Sequence, residues 1–334
     1  MSRIVSLLAG FILPTIVFVP SGVAAERLIG IHSVMVMAQS LPWIAREAGL
    51  LQKHNLDFQM IYIASSPMVT GALLGGDAEI ALTGGSGIVR AFVQGAKDLV
   101  FVGGVKNFLD QSILTRPEIH SPESLKGKKI GVSRIGGISH YFTIQALRRF
   151  GMQAGRDYIF IQTGGEPETL AALVNGAVDA ATLTVLGEAK ATAMGFRPVV
   201  YGPDLHIPSV AAAFVTRRSL FPRRSEALAQ FMRAMAEAMR ILHSDKEFTY
   251  RVLGRQLRIS DKKVLETAYH TNIGSLEPKL TIAPEAVQAI LDEVAQGDPL
   301  AKKVQAQDLI DRRYLDEMER DGFFNRLWAD RKQQ

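Results

Sequence analysis

The turn at residues 133–140 has the composition of an anion-binding site. It reads Ser-Arg-Ile-Gly-Gly-Ile-Ser-His, follows an apolar run and leads into a helical pattern. Free N–H groups at the start of a helix bind anions, and glycines let a ligand approach the backbone. Arg134 could add a charge-assisted contact, although an exposed rim position is the alternative. The candidate ligand-binding residues of this turn are Arg134, Gly136, Gly137, Ser139 and His140.

Residues at the ends of other predicted strands are expected to line the same site, because ligands of open α/β sheets bind outside the carboxyl ends of the strands. The Ser-Ser-Pro stretch at 65–67 is typical of a helix start, and residues 83–86 form a glycine-rich turn. The alternative role for Ser66 is helix capping alone. The alternative for Met37 is burial in the core. The further candidates are Ser33, Met37, Gln39, Ser66, Thr83, Gly84, Ser86, Asn107 and Thr184.

Signatures of catalysis and of cofactor binding do not appear in the sequence. The turn at 133–140 departs from the G-x-G-x-x-G dinucleotide spacing, and no phosphate-loop lysine follows it. There is no G-x-S-x-G or H-E-x-x-H motif, and the seven histidines show no ligand spacing. The absence of cysteine excludes thiol catalysis and argues against structural zinc. We therefore predict no catalytic residue, no cofactor and no metal.

Length and composition indicate a globular protein of about two domains. The chain has 334 residues, of which 47% are hydrophobic. The formal net charge is +5 at pH 7, and the basic residues are scattered along the chain. Nucleic-acid binding requires a concentrated basic face with aromatic platforms. We therefore predict a solvated surface and no nucleic-acid partner.

The first 25 residues have the pattern of a secretory signal peptide. Arg3 precedes an apolar run to Val19, and small residues follow Pro20 up to Ala25. The apolar run is roughly 16 residues, short for a membrane span of about 20. We expect cleavage near Ala25, which lowers the net charge from +5 to +4. Without a cysteine to carry a lipid, the expected location is the periplasm.

The chain repeats itself with an offset of 100 residues. Residues 67–100 match 167–200 at several glycine, alanine and proline positions. A fixed offset over so long a window indicates a duplicated module. Each copy is predicted as β-α-β-α-β, and short apolar strands alternating with amphipathic helices indicate parallel sheets. After about residue 216 the pattern becomes helical, and its methionine stripe is expected to be core packing.

Four stretches of the chain are similar to the motifs of one known family. They are Leu-Pro-Trp-Ile-Ala-Arg-Glu-Ala-Gly-Leu-Leu at 41–51, Ala-Leu-Leu-Gly-Gly-Asp-Ala-Glu-Ile-Ala at 72–81, Ser-Leu-Lys-Gly-Lys-Lys-Ile-Gly-Val at 124–132, and the segment 308–316. In this order they resemble nitrate/taurine/alkanesulfonate-type solute-binding proteins of ABC importers. The resemblance covers nearly the whole chain after the signal peptide.

This resemblance implies an α/β fold of the type II periplasmic-binding-protein class. Such a fold has two lobes, each a mostly parallel sheet flanked by helices, here with extra C-terminal helices. Lobe I is expected at 26–111, completed by 208–334, and lobe II at 112–207. The crossovers between the lobes are expected at 103–114 and 206–214.

The function implied by the resemblance is capture of one small molecule for an ABC permease with its ATPase, by a monomer without enzymatic activity. The turn at 134–140 is expected to receive the anionic end of the ligand, and the apolar loop at 34–38 to enclose its body. An alkyl or aryl sulfonate or carboxylate fits this pattern. The alternatives are a ligand-sensing subunit of a membrane receptor, or a secreted enzyme of the thiamine-pyrimidine-precursor branch. Enzymes of that branch use a cysteine-rich iron site, which this chain lacks.

Overall fold

The computed structural model describes residues 25–329, and the strands in this range form two five-stranded sheets. The signal peptide predicted at 1–25 lies outside the described residues, apart from Ala25 itself. The first sheet consists of β1 (Glu26–His32), β2 (Leu56–Tyr62), β3 (Ile80–Thr83), β4 (Leu99–Leu109) and β10 (Ile207–Arg217). The second sheet consists of β5 (Ser112–Thr115), β6 (Lys128–Val132), β7 (Tyr158–Gln162), β8 (Ala180–Leu183) and β9 (Arg197–Val200).

Both sheets have the same topology. The strand orders are β2-β1-β3-β10-β4 and β7-β6-β8-β5-β9. β1 lies parallel between β2 and β3, and β6 lies parallel between β7 and β8. The fourth strand of each order, β10 or β5, runs antiparallel to both of its neighbours. Four strands of each sheet therefore point the same way, and the prediction of two mostly parallel α/β lobes is confirmed.

The helices cover both sheets and form most of the C-terminal part. They are α1 (Leu41–Glu47), α2 (Leu50–Lys53), α3 (Ser66–Gly75), α4 (Gly85–Val93), α5 (Ile138–Arg148), α6 (Glu166–Val174), α7 (Val185–Ala193), α8 (Phe221–Ser244), α9 (Lys246–Leu257), α10 (Lys262–Ile273), α11 (Pro284–Val294), α12 (Arg313–Arg320) and α13 (Phe323–Leu327). None of the helices between residues 25 and 329 combines the length and the apolar character that a membrane span requires.

The internal repeat is present in the structure. At an offset of 100 residues, α3, β3 and α4 correspond to α6, β8 and α7. The side-chain contacts repeat as well: the carboxylate of Glu79 accepts a hydrogen bond from Ile29 N–H at 3.4 Å, and that of Asp179 from Lys129 N–H at 2.8 Å. Each copy therefore builds one sheet by the same local interactions.

Two glycine-containing segments differ from their prediction. The first helix predicted for the first copy of the repeat is broken into α1 and α2, because Gly49 adopts a positive φ of 71°. The glycine-rich turn at 83–86 is already the start of α4, which sequence patterns alone did not predict. Burial of Ile88 and Val89 against the sheet stabilises this helix despite its glycines.

The two connections between the sheets are shorter than predicted. β4 continues to Leu109 and β10 begins at Ile207, because these two strands pair with each other over most of their length. The chain therefore crosses to the second sheet at Asp110 and Gln111 and returns at 201–206. The connections touch at Gly202, whose N–H donates to Ser112 Oγ at 3.2 Å.

The C-terminal helices pack on the first sheet. Met232, Met235 and Met239 of α8 are fully buried and belong to the same core cluster as Phe214 of β10. The prediction that the methionine stripe is core packing is confirmed.

Candidate ligand-binding site

A cavity of about 110 Å³ lies where the strand ends of the two sheets face each other. Its wall contains the loops after β1 and β2, the first residues of α5, α6 and α7, and side chains of α9 and α10. This is the position outside the carboxyl ends of parallel strands at which α/β proteins bind ligands. Of the fourteen predicted ligand-binding residues, the cavity wall contains Ser33, Met37, Ser66, Ser139 and Thr184.

The apolar loop after β1 forms one side of the cavity. Its shape is held by Gln39, whose Oε1 accepts hydrogen bonds from the N–H groups of Ser33 (3.0 Å) and Val34 (3.1 Å). Gln39 is buried behind the loop and does not reach the cavity. Met37 lines the cavity and also belongs to the hydrophobic core, so lining and core packing are not exclusive roles for this residue.

The starts of two long helices meet at the cavity, one from each sheet. Ser66 is the first residue of α3, and its Oγ lies 3.4 Å from Ser86 Oγ. Ser139 lies in the first turn of α5, where its Oγ is 3.0 Å from Ser133 Oγ. Free N–H groups and the positive end of the helix dipole make such positions favourable for anions.

Glu166 places a carboxyl group in the wall of the cavity, at the start of α6. Its Oε1 accepts hydrogen bonds from Thr184 Oγ1 at 2.6 Å and from Thr184 N–H at 3.3 Å. Burial raises the pKa of Glu166, and the bonds from Thr184 oppose this effect in part.

Lys106 is the one lysine or arginine in the wall of this cavity, within the described part of the chain. Its side chain is only 3% exposed. Nζ is paired with Asp110 and donates to Asn272 Oδ1 at 3.0 Å, so these contacts connect β4, the first connection and α10. A lysine has three N–H donors, and these two partners use two of them.

Several predicted residues of the first sheet lie outside the cavity wall. Thr83 and Ser86 are fully buried around the start of α4, and Gly84 packs so closely on Ile138 that an added Cβ would lie 2.6 Å from its Cδ1. Asn107 faces the segment before α11, where its Nδ2 donates to Glu277 Oε1 and to the carbonyl oxygen of Thr281, each at 2.9 Å.

The turn at 133–140 touches the first sheet's helices, and four of its predicted residues are absent from the cavity wall: Arg134, Gly136, Gly137 and His140. An added Cβ at Gly136 would lie 3.8 Å from Arg90 Cδ, and one at Gly137 would lie 3.7 Å from Pro67 Cδ. Gly136 adopts a positive φ of 80°. The cavity instead receives Ile138 and Ser139 from this region.

The partly buried ring of His140 predicts a pH-dependent stability. Burial and the cation of Arg90 lower its pKa from 6.5 to about 4. The unfolded chain therefore binds a proton at a pH where the fold does not, and stability present above pH 6.5 is lost as the pH falls to about 4. We expect the free energy of unfolding to lose roughly 3 kcal/mol from this group between pH 7 and pH 4.

The variant His140→Gln should lack this part of the pH dependence in urea unfolding experiments. An identical decline in both proteins would contradict the assignment to His140.

Within residues 25–329, no group of three His, Asp or Glu side chains could hold a metal ion. The family model for NMT1/THI5-like proteins matches residues 41–247, which is more than half of the chain. The protein belongs to the NMT1/THI5-like family. Solved structures of similar fold include the alkanesulfonate-binding protein SsuA from Xanthomonas axonopodis pv. citri bound to MOPS, at 20% identity and a TM-score of 0.71, covering 86% of this chain and 98% of that one.

The periplasmic nitrate-binding protein NrtA from Synechocystis PCC 6803 is also similar to this NMT1/THI5-like chain. The identity is 13% and the TM-score 0.69, with 90% of this chain and 89% of NrtA covered. A Brucella abortus (strain 2308) protein with only a provisional designation as a binding protein is 26% identical over 234 residues, 68% of this chain and 70% of its own length. The predicted periplasmic-binding-protein fold is confirmed.

Several cavity residues of this NMT1/THI5-like protein were missed by the sequence prediction. Glu166 lies 100 residues after Ser66, so the repeat that relates the two helix starts could have identified it. Lys106 is adjacent to the predicted Asn107, and successive strand residues point to opposite faces. The cavity residues of α9 and α10, such as Asn272, come from outside the repeat and carry no such signal.

Proposed function

We propose that this protein is the periplasmic solute-binding component of an ABC importer, and that it captures a small anionic organic molecule such as a sulfonate or carboxylate. Family membership and the likeness to SsuA and NrtA support the class of function. The observation that carries the proposal is the cavity between the two sheets, in which the starts of α3 and α5 meet.

Charge and polarity in the cavity support an acidic ligand. The helix starts offer N–H groups, and Lys106, whose charge is paired with Asp110 of the same wall, has one N–H donor left over. Burial raises the pKa of the Glu166 carboxyl group, which lies at the start of α6 in the same wall. The acid group therefore lies at the helix starts.

The body of the ligand packs against apolar side chains of the same cavity. Val34, Val36 and Met37 come from the loop after β1, and Leu253 and Leu257 from α9. Ligand sites commonly combine such an apolar lining with a few polar groups that fix orientation. A volume of about 110 Å³ suits an organic acid of a few carbon atoms.

We further propose that the ligand is released unchanged. The mature chain, a monomer starting at Glu26, would deliver it from the periplasm to a permease with its ATPase. Closure of two lobes around a hinge is a known way for such folds to capture a ligand.

Thermal denaturation in the presence of a panel of sulfonates and carboxylates tests this function. A ligand at about 100 times its Kd should stabilise the fold by about 2.7 kcal/mol, because it binds the folded state alone. Mass spectrometry of the recovered ligand should show the starting compound. Absence of any stabilising acid, or chemical conversion by the protein alone, would contradict the proposal.

A further inference from the structure

Ser65, which lies between β2 and α3, has a strained backbone. Its φ of 74° and ψ of 145° lie in a region that residues with a side chain rarely adopt. Hydrogen bonds fix this conformation from both sides: Ser65 N–H donates to the carbonyl oxygen of Ser33 at 3.1 Å, and Val69 N–H donates to that of Ser65 at 3.2 Å.

The hydroxyl group of Ser65 is also unsatisfied. The residue is 9% exposed and lines the cavity, and its Oγ is buried without a hydrogen-bond partner among the described residues. In the described part of the wall, the only other such atom is Oε1 of Gln111. A buried hydroxyl without a partner destabilises a fold, because its bonds to water are lost and not replaced.

The second copy of the repeat avoids both costs. At the corresponding turn it has Gly164 and Gly165: the positive φ of 114° falls on Gly164, and Gly165, 100 residues after Ser65, is extended with a φ of −130°. Glycine adopts such a conformation without strain and has no hydroxyl to satisfy. Glycine at position 65 would therefore suit the fold better than serine, and the benefit of the hydroxyl must come from the bound state.

We propose that the Ser65 hydroxyl is a ligand-binding group, which donates a hydrogen bond to an oxygen of the sulfonate or carboxylate. This proposal for Ser65 rests on the proposed function. It places the acid group of the ligand at the start of α3, a helix of ten residues. Hydrogen bonds to an ionised group are the stronger kind.

The test compares Ser65→Gly, Ser65→Ala and the control Ser209→Ala, by titration calorimetry with propane-1-sulfonate and benzoate. Ser209 is fully buried and also has an unpartnered Oγ, but it is absent from the cavity wall. S65G and S65A should each lose affinity by at least about tenfold, and S209A should bind like the unaltered protein. Without ligand, S65G should raise the Tm by roughly 2–4 °C, because the strain is relieved.

The outcomes distinguish a failure of the role proposed for Ser65 from a failure of the proposed function. Unchanged affinity of S65G for a probe that the unaltered protein binds would overturn the role of Ser65 and leave the proposed function standing. A lower Tm of S65G would overturn the argument from strain. If the unaltered protein binds neither probe nor any acid of the thermal-denaturation panel, the proposed function and this inference are both contradicted.

Discussion

Replacing Gly202 by alanine is expected to destabilise the fold by roughly 3–5 kcal/mol, among the largest effects of a single methyl group. A Cβ at this position would lie 1.5 Å from the carbonyl oxygen of Gln111 and 2.5 Å from its carbonyl carbon. These are backbone atoms of the other connection between the sheets, and they cannot rotate away as a side chain can. Alanine at position 202 would therefore force the two connections between the sheets apart.

The matched control is Gly71→Ala in α3. Gly71 is exposed and has no atom within 4 Å of an added Cβ. Alanine there should stabilise the helix by about 0.5–1 kcal/mol, because glycine is the poorer helix former. Urea unfolding at pH 7 measures both variants. Equal stability of the two would show that the connections are not in contact at Gly202.

Replacing Gly137 by valine is expected to lower ligand affinity by roughly 10- to 100-fold while the ligand-free protein stays folded. The backbone at this residue, with φ of −83° and ψ of 179°, accepts a side chain. An added Cβ would lie 3.0 Å from the carbonyl oxygen of Arg134 and 3.7 Å from Pro67 Cδ, so the methyl groups of valine would overlap the start of α3. Overpacking of a close contact costs about 1–3 kcal/mol; we expect the ligand-free protein to relieve it by separating the two helix starts, which the ligand-bound protein cannot do, so the cost is measured as lost affinity.

Gly137→Ala is the graded control for this contact. Its single methyl group shares the 3.0 Å contact with the Arg134 carbonyl oxygen but makes only ordinary contact with Pro67, and so it should retain most of the affinity. Calorimetric titration of both variants with the same sulfonate gives the comparison. Undiminished affinity of the valine variant would mean that binding does not bring these two helix starts together.

Most of the architecture could be predicted from the sequence, because the repeat and the apolar periodicity are local signals. The offset of 100 residues correctly related α3 and β3 to α6 and β8. α4 was missed, because its glycines are unfavourable for a helix and only burial on the sheet stabilises it. The lengths of β4 and β10 could not be predicted, because they depend on the pairing of these two strands, which are about 100 residues apart in sequence.

The site was less predictable, since a strand end shows which residues are near the cleft but not which side chains enter it. Ser139 enters the cavity, whereas Gly136 and Gly137 of the same turn contact the opposing helices. The pairing of Lys106 with Asn272 joins segments with no local relation. Such contacts follow from the packing of the C-terminal helices, which no sequence motif specifies.

The most direct test of the binding site is a crystal structure of the protein with the sulfonate or carboxylate that raises its Tm most. The account predicts one ligand molecule per chain in the cavity, with its acid group within hydrogen-bond distance of the starts of α3 and α5, near Ser66 and Ser139. A ligand bound outside this cavity, or a cavity filled by water alone at saturating ligand, would contradict it.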